Sequence, residues 1–169
     1  FIFRGETQTS AKMTYAELYN QVARLAKSLR EIEIVPGDRV VAYMPNLVET
    51  AIAMLATTSI GAVWASCGAE LGAPAALDRL GQIAPKVLFT ADGYWYKGKT
   101  FNTLINAEKI AKEIPSLEKV IVVSYVQEKT DISNIPKSVS YNEFLSPEKQ
   151  PKIQIEQLAF DHPAYIMFS

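Results

Sequence analysis

The chain has 169 residues, 49% of them hydrophobic, with a net charge of −1 at pH 7, one cysteine and one histidine. That length and apolar content suffice for one real core, and the balanced charge offers no general attraction to nucleic acid or anionic lipid. Cys67 alone excludes an intrachain disulfide, and with His162 it leaves too few soft ligands for a zinc site. No apolar run approaches the ~20 residues of a membrane span. The start lacks the basic residues and long apolar run of a signal peptide, so a soluble, cytoplasmic protein is expected. Phe1 and Ser169 read as cut ends of something larger.

Helix and strand signals alternate along the chain, which predicts an α/β fold with a largely parallel sheet flanked by helices. Thr14 is suited to cap a first helix, with Glu17 as its capping-box partner and Met13 stapling onto Leu18. Tyr15, Leu18, Val22, Leu25, Ala26 and Leu29 mark one face of it at helical spacing. Pro36-Gly37-Asp38 makes a turn, and Arg39 to Met44 reads as a buried strand. Asn46 and Glu49 repeat the cap logic for a helix running to about Ile60, where Gly61 supplies a left-handed stop. Ala62 to Ser66 is a second short strand. Pro74 opens a helix at its first position, where its missing amide hydrogen costs nothing. That helix runs to about Ala84, and Pro85 prevents its continuation.

Lys86 to Thr90 is a third strand, Thr103 to Ile114 a helix and Lys119 to Tyr125 a fourth strand. Residues 127–155 are polar and punctuated by proline, with a short apolar insert from Tyr141 to Leu145. They predict a peripheral excursion, as an edge hairpin or surface loop. Ala164 to Phe168 returns to the sheet. Neither an internal repeat nor a low-complexity segment is visible.

Open sheets of this kind place ligands beyond the carboxyl ends of their strands. Three segments qualify: Pro45-Asn46, Cys67 to Gly72, and Ala91 to Lys99. The small residues Cys67-Gly68-Ala69 and Gly72 allow a narrow ligand close to the backbone, although an ordinary strand-to-helix turn needs the same composition. Lys97-Gly98-Lys99 follows three aromatics, Tyr94, Trp95 and Tyr96, and two ammonium groups beside exposed rings suit a phosphate and a nucleobase. A solvated loop with buried aromatic anchors explains the same residues. Cys67 has no basic partner near it in sequence and reads as a half-buried thiol rather than a nucleophile. His162 precedes Pro163 and reads as structural. Asp78 and Arg79 read as a surface ion pair or an anchor to a neighbouring element. Neither a Gly-x-Gly-x-x-Gly fingerprint nor a Gly-Lys-Ser/Thr phosphate loop occurs.

Taken together, Gly37-Asp38-Arg39-Val40, Tyr43-Met44-Pro45-Asn46, Ala53-Met54-Leu55-Ala56 and Ser59-Ile60-Gly61-Ala62 resemble the first part of the large adenylating domain of acyl-CoA synthetases, in the adenylate-forming superfamily. Within that family, three further runs are most similar to the acetoacetyl-CoA synthetases. They are Gly61-Ala62-Val63-Trp64-Ala65-Ser66, Leu77-Asp78-Arg79-Leu80 with Gln82-Ile83 and Pro85-Lys86, and Asp92-Gly93-Tyr94 with Tyr96 and Gly98-Lys99. The resemblance covers nearly the whole chain as the N-terminal part of an AMP-binding domain, and it implies an ATP-dependent acid–thiol ligase. Such an enzyme joins acetoacetate to ATP as an acyl-adenylate, releasing pyrophosphate, and then passes the acyl group to CoA.

Phe168-Ser169 resemble the lead-in to that family's phosphate loop, so the chain is expected to stop before it. ATP, CoA and Mg2+ then belong to the full-length enzyme, none binds tightly to the fragment, and no residue here is assigned a catalytic step or a metal. The resemblance carries over CoA binding: Lys99 would hold the 3′-phosphate, with Tyr96 at a companion position and Lys97 beside it, and Gly68 to Gly72 would border the pantetheine passage. Cys67, Gly68 and Glu70 depart from the usual residues of that loop. Another short-chain acyl-CoA synthetase, or a non-catalytic CoA- or nucleotide-binding module, remains open as an alternative. The expected partners are small molecules (acetoacetate, ATP and CoA) rather than nucleic acid or membrane. Exposed apolar faces predict self-association of the fragment.

Overall fold

The computed structural model describes residues 1–6 and 11–168, so Ser169 of the Phe168-Ser169 pair lies outside the described residues. A small antiparallel ribbon, β1 (Ile2–Phe3) with β2 (Ala11–Lys12), leads into α1 (Tyr15–Glu31). The expected capping box is complete: the Glu17 amide donates to Thr14 Oγ1 (3.2 Å) and the Thr14 amide to Glu17 Oε2 (2.7 Å). These two bonds satisfy otherwise orphaned donors of the first turn. Val22, Leu25, Ala26 and Leu29 are buried as the spacing predicts. Tyr15, in the first turn, is not: it stands exposed.

β3 (Arg39–Tyr43) follows, then α2 (Val48–Ser59). Asn46 does not cap α2; Leu47 holds that position and no side chain caps the helix. The stop is as expected. Gly61 takes φ +78°, its amide donates to Thr58 O (3.1 Å) and that of Ala62 to Thr57 O (3.1 Å). This pairing of successive amides with the last helical carbonyls needs a left-handed residue, which glycine supplies without a Cβ penalty.

β4 (Val63–Cys67) leads to α3 (Ala73–Leu80), capped by Gly72, so Pro74 occupies the second helical position rather than the first. Its missing donor is still among the four that a helix start leaves unpaired. Among the described residues Arg79 pairs with no carboxylate; its Nη1 donates to Ala75 O of its own helix (3.0 Å). A 3-10 turn (Gly81–Ile83) ends at Ala84, which adopts φ +45° before Pro85.

The chain continues through β5 (Val87–Ala91), β6 (Gly93–Tyr96), β7 (Lys99–Asn102), α4 (Leu104–Glu113) and β8 (Lys119–Val123). Within 127–155 lie β9 (Ser138–Ser140) and α5 (Tyr141–Phe144); β9 joins β8 in parallel as an edge strand. β10 (Tyr165–Ile166) returns beside β4.

The six sheet strands lie in the order β10-β4-β3-β5-β8-β9, every neighbouring pair parallel. Helices α1 and α2 pack on one face, α3 and α4 on the other. Side chains alternate between the two layers with the period of a strand: Val40 and Ala42 enter the α1/α2 core, Val41 and Tyr43 the α3/α4 core. Both faces are covered, which explains why these strands read as unbroken apolar runs. β3 sits between β4 and β5, so successive connections from it run to opposite sides. In open sheets ligands bind beyond the carboxyl ends of the strands at such a reversal. No helix of the described residues is long and apolar enough to cross a membrane.

Candidate functional site

Three strand ends meet at Tyr43. Its hydroxyl accepts from Asn106 Nδ2 (3.1 Å) and directs its one proton toward the carbonyls of Ala69 (2.8 Å) and Leu71 (2.5 Å). Burial raises the Tyr43 pKa, which keeps the phenol neutral and donating. One side chain at the end of β3 thus fixes the backbone of the 67–72 segment against α4. Tyr94 of β6 packs into the same apolar cluster as Cys67 and Leu71, so the loop after β4 and the base of the β6–β7 hairpin share one wall.

In that loop Glu70 folds back over Gly68: a Cβ built on Gly68 would lie 2.2 Å from both Glu70 carboxylate oxygens. The clash involves only the end of a flexible side chain that can move aside, so the backbone does not demand glycine at Gly68. Gly72 is the cap of α3 at an ordinary φ of −66°. Burial pushes the Cys67 thiol up to about 11, with Arg79 opposing it, so at neutral pH the sulfur is a protonated thiol and a poor nucleophile.

The end of β5 carries the densest polar arrangement. Asp92 is fully buried, yet its carboxylate accepts the amides of Tyr125 (2.8 Å), Val126 (2.9 Å) and Gln127 (2.9 Å) and the hydroxyl of Thr130 (2.9 Å). A buried carboxylate is tolerable only when its lone pairs are satisfied in this way. Gly93 follows with no room for a side chain: a Cβ there would meet Phe101 O at 2.4 Å and Val126 Cγ2 at 2.6 Å. Asp92-Gly93 therefore seats the hairpin on the loop after β8.

That hairpin differs from the solvated loop considered from the sequence. β6 and β7 pair antiparallel, with Tyr94 stacked on Phe101 at 5.1 Å and Tyr96 opposite Lys99. Its tip is Lys97 (φ +51°) and Gly98 (φ +71°), the two successive left-handed residues of a tight hairpin turn. Lys97 Nζ lies 5.2 Å from the Tyr96 ring centroid, and Tyr96 is 53% exposed. Among the described residues neither Lys97 nor Lys99 is in a salt bridge. The amides of Lys97 and Gly98 each donate to Glu6, at 3.0 Å to Oε1 and 3.0 Å to Oε2, and these bonds lower the Glu6 pKa.

The structure therefore groups Tyr96, Lys97 and Lys99 at one hairpin tip, and Gly68 and Gly72 on the loop beside its base. Sequence reasoning passed over Tyr43, Asn106 and Glu6. Tyr43 reads from sequence as one more apolar strand residue, and the Glu6 contact spans 91 and 92 positions. Of the Pro45-Asn46 pair, Asn46 borders a separate cavity of about 410 Å3, whose wall includes Phe3, Arg4, Trp64 and Ser66. A roomier groove of about 600 Å3 lies along α1, but its Lys27 and Arg30 are already paired with Glu148 and Glu156. His162 is structural in its contact, its Nε2 lying 2.8 Å from Gly61 O. No group of three or more metal-ligating side chains occurs among the described residues.

The profile of the family described as "AMP-binding enzyme" matches residues 2–169. The chain belongs to that family. It is 40% identical over 174 aligned positions to the acetoacetyl-CoA synthetase of Macaca fascicularis, covering 100% of this chain and 26% of that protein. The acetoacetyl-coenzyme A synthetase of Rhizobium meliloti (strain 1021) is likewise 40% identical, over 99% of this chain and 26% of its own. Among solved structures, the acetoacetyl-CoA synthetase from Streptomyces lividans superposes with a TM-score of 0.91 at 37% identity, across 99% of this chain and 25% of that one. The chain thus spans about a quarter of the length of the relatives it matches.

Proposed function

We propose that this chain is the N-terminal part of the adenylating domain of an acetoacetate–CoA ligase, with 127–155 as a peripheral excursion carrying the edge strand. The carrying observation is likeness of sequence and fold together over 99% of the chain to an acetoacetyl-CoA synthetase. In the proposed reaction, a carboxylate oxygen of acetoacetate attacks the α-phosphorus of ATP and pyrophosphate leaves. The CoA thiol, giving up its proton, then attacks the acyl carbon, and AMP leaves. ATP, CoA and acetoacetate are the partners of the full-length protein, which we place in the cytoplasm.

The residues here serve binding rather than bond-making. Lys99, with Lys97 and the Tyr96 ring beside it, would hold the 3′-phosphate of CoA at the hairpin tip. Gly68 and Gly72 would flank the pantetheine arm, on a loop held in place by Tyr43. Mg2+ would come with ATP; the described residues offer no ligand cluster for it, and no step is assigned to it here. By itself this chain is expected to be inactive. It is also expected to self-associate through the β10 edge, where Leu158, Phe160, Tyr165 and Met167 are exposed.

Pyrophosphate release by the full-length protein, with ATP and either acetoacetate or acetate, tests the reading. Strong preference for acetoacetate supports it. Preference for acetate keeps the ligase and overturns the substrate, and no release with any acid favours a binding module that has lost catalysis.

A further inference from the structure

The two amides at the tip of the β6–β7 hairpin are the outward-facing donors that a tight turn leaves without partners. Two consecutive amides pointing the same way form a concavity suited to an anion. Lys97 and Lys99 bring two positive charges to the same turn. In the structure that concavity is filled, and its occupant is a carboxylate from the other end of the chain: Glu6 Oε1 on the Lys97 amide and Glu6 Oε2 on the Gly98 amide, both at 3.0 Å. The contact is exposed, so water and dissolved anions reach it freely. Glu6 is exposed there, and its only polar partners among the described residues are the two amides.

We infer that Glu6 is a built-in competitor for an anion site at the hairpin tip, and that it sets the affinity of that site for the phosphate monoester of an incoming ligand. The inference rests on the reading above, in which that monoester is the 3′-phosphate of CoA. A phosphate approaching Lys99 and Lys97 meets a carboxylate already holding both amides. It must displace Glu6 to gain the amides, or bind to the lysines alone beside a like charge. Either way the carboxylate weakens phosphate binding while leaving the rest of the ligand unaffected. The competition is exchangeable because the Glu6 contact carries little burial to hold it. A ligand with the same nucleotide and pantetheine but no 3′-phosphate has no quarrel with Glu6.

The test is calorimetric binding of CoA and of 3′-dephospho-CoA to the full-length protein that carries this chain, in the parent and in Glu6→Gln and Lys99→Ala. Glutamine keeps the length of Glu6 and removes its charge. The expected result is a several-fold rise in the preference for CoA over 3′-dephospho-CoA in Glu6→Gln, and a several-fold fall in Lys99→Ala. An unchanged or lower preference in Glu6→Gln, with the fall in Lys99→Ala still seen, overturns the competitor role alone. If Lys99→Ala leaves the preference intact, the phosphate is not held at this tip and the underlying reading fails with the inference.

Discussion

Two carboxylates hold the two ends of one hairpin, and they do so under opposite conditions. Asp92, at its base, is fully buried and accepts three backbone amides and a hydroxyl. Glu6, at its tip, is exposed and accepts two amides. The bonds are alike in kind and length, but their consequences differ. Without Asp92 the amides of Tyr125, Val126 and Gln127 would lose the one buried acceptor that gathers the loop after β8 onto the hairpin base, so the interaction defines the fold. Without Glu6 the tip amides would simply be solvated, so the interaction can be traded for another anion. Burial, not the hydrogen bond itself, separates scaffold from switchable contact.

Removing the buried member should have the largest effect. Asp92→Ala is expected to cost roughly 3 kcal/mol, because three amides and a hydroxyl lose their common acceptor at once and a buried site is left empty. Chemical denaturation of the full-length protein checks this, and a loss no larger than that of a surface substitution would mean that water replaces the carboxylate. Gly93→Ala should follow at about 2 kcal/mol, since its Cβ would press on a backbone carbonyl that cannot turn aside. Gly68→Ala is the control: its clash is with the Glu70 side chain, which can move, and the denaturation midpoint should shift far less.

The same division explains what the sequence could reveal. Local devices were legible because their partners lie within one turn: the Thr14 and Glu17 capping box, the left-handed stop at Gly61, and the apolar runs that became a doubly covered parallel sheet. Asn46 misled because it has the residue type of a cap but sits one position too early, and Leu47 starts α2 without a side-chain bond. The hairpin was obscured because Lys97-Gly98 is not the Asn-Gly pair that usually announces such a turn. Glu6 and Asp92 were illegible as acceptors, since their partners lie 91 to 92 and 33 to 38 positions away. The family resemblance pointed to Lys99 without revealing the anion that stands beside it.

At the tip, charge rather than packing should matter. Lys99→Ala is expected to raise the KM for CoA several-fold in the full-length protein, by removing one charge-assisted phosphate contact. The discriminating measurement is the same KM with 3′-dephospho-CoA: an equal rise with both ligands would assign Lys99 to something other than the 3′-phosphate.

The smallest effect is the one that Glu6 leaves on the free protein, and its sign follows from linkage. The tip amides lower the folded pKa of Glu6 below the ordinary value of 4.5. A depressed acid contributes stability that is present above its unfolded pKa and lost as pH falls through the folded one. The amides of Lys97 and Gly98 should therefore keep their carboxylate partner at pH 4.5 and release it only at lower pH. Their amide proton chemical shifts should titrate together with a midpoint under 4.5, and that step should vanish in Glu6→Gln. Because the group is exposed, that contribution is small, and Glu6→Gln should barely move the melting temperature at neutral pH. A midpoint at or above 4.5 would mean that the tip does not favour the charged form, and the contrast with Asp92 would then be between a held carboxylate and a merely adjacent one.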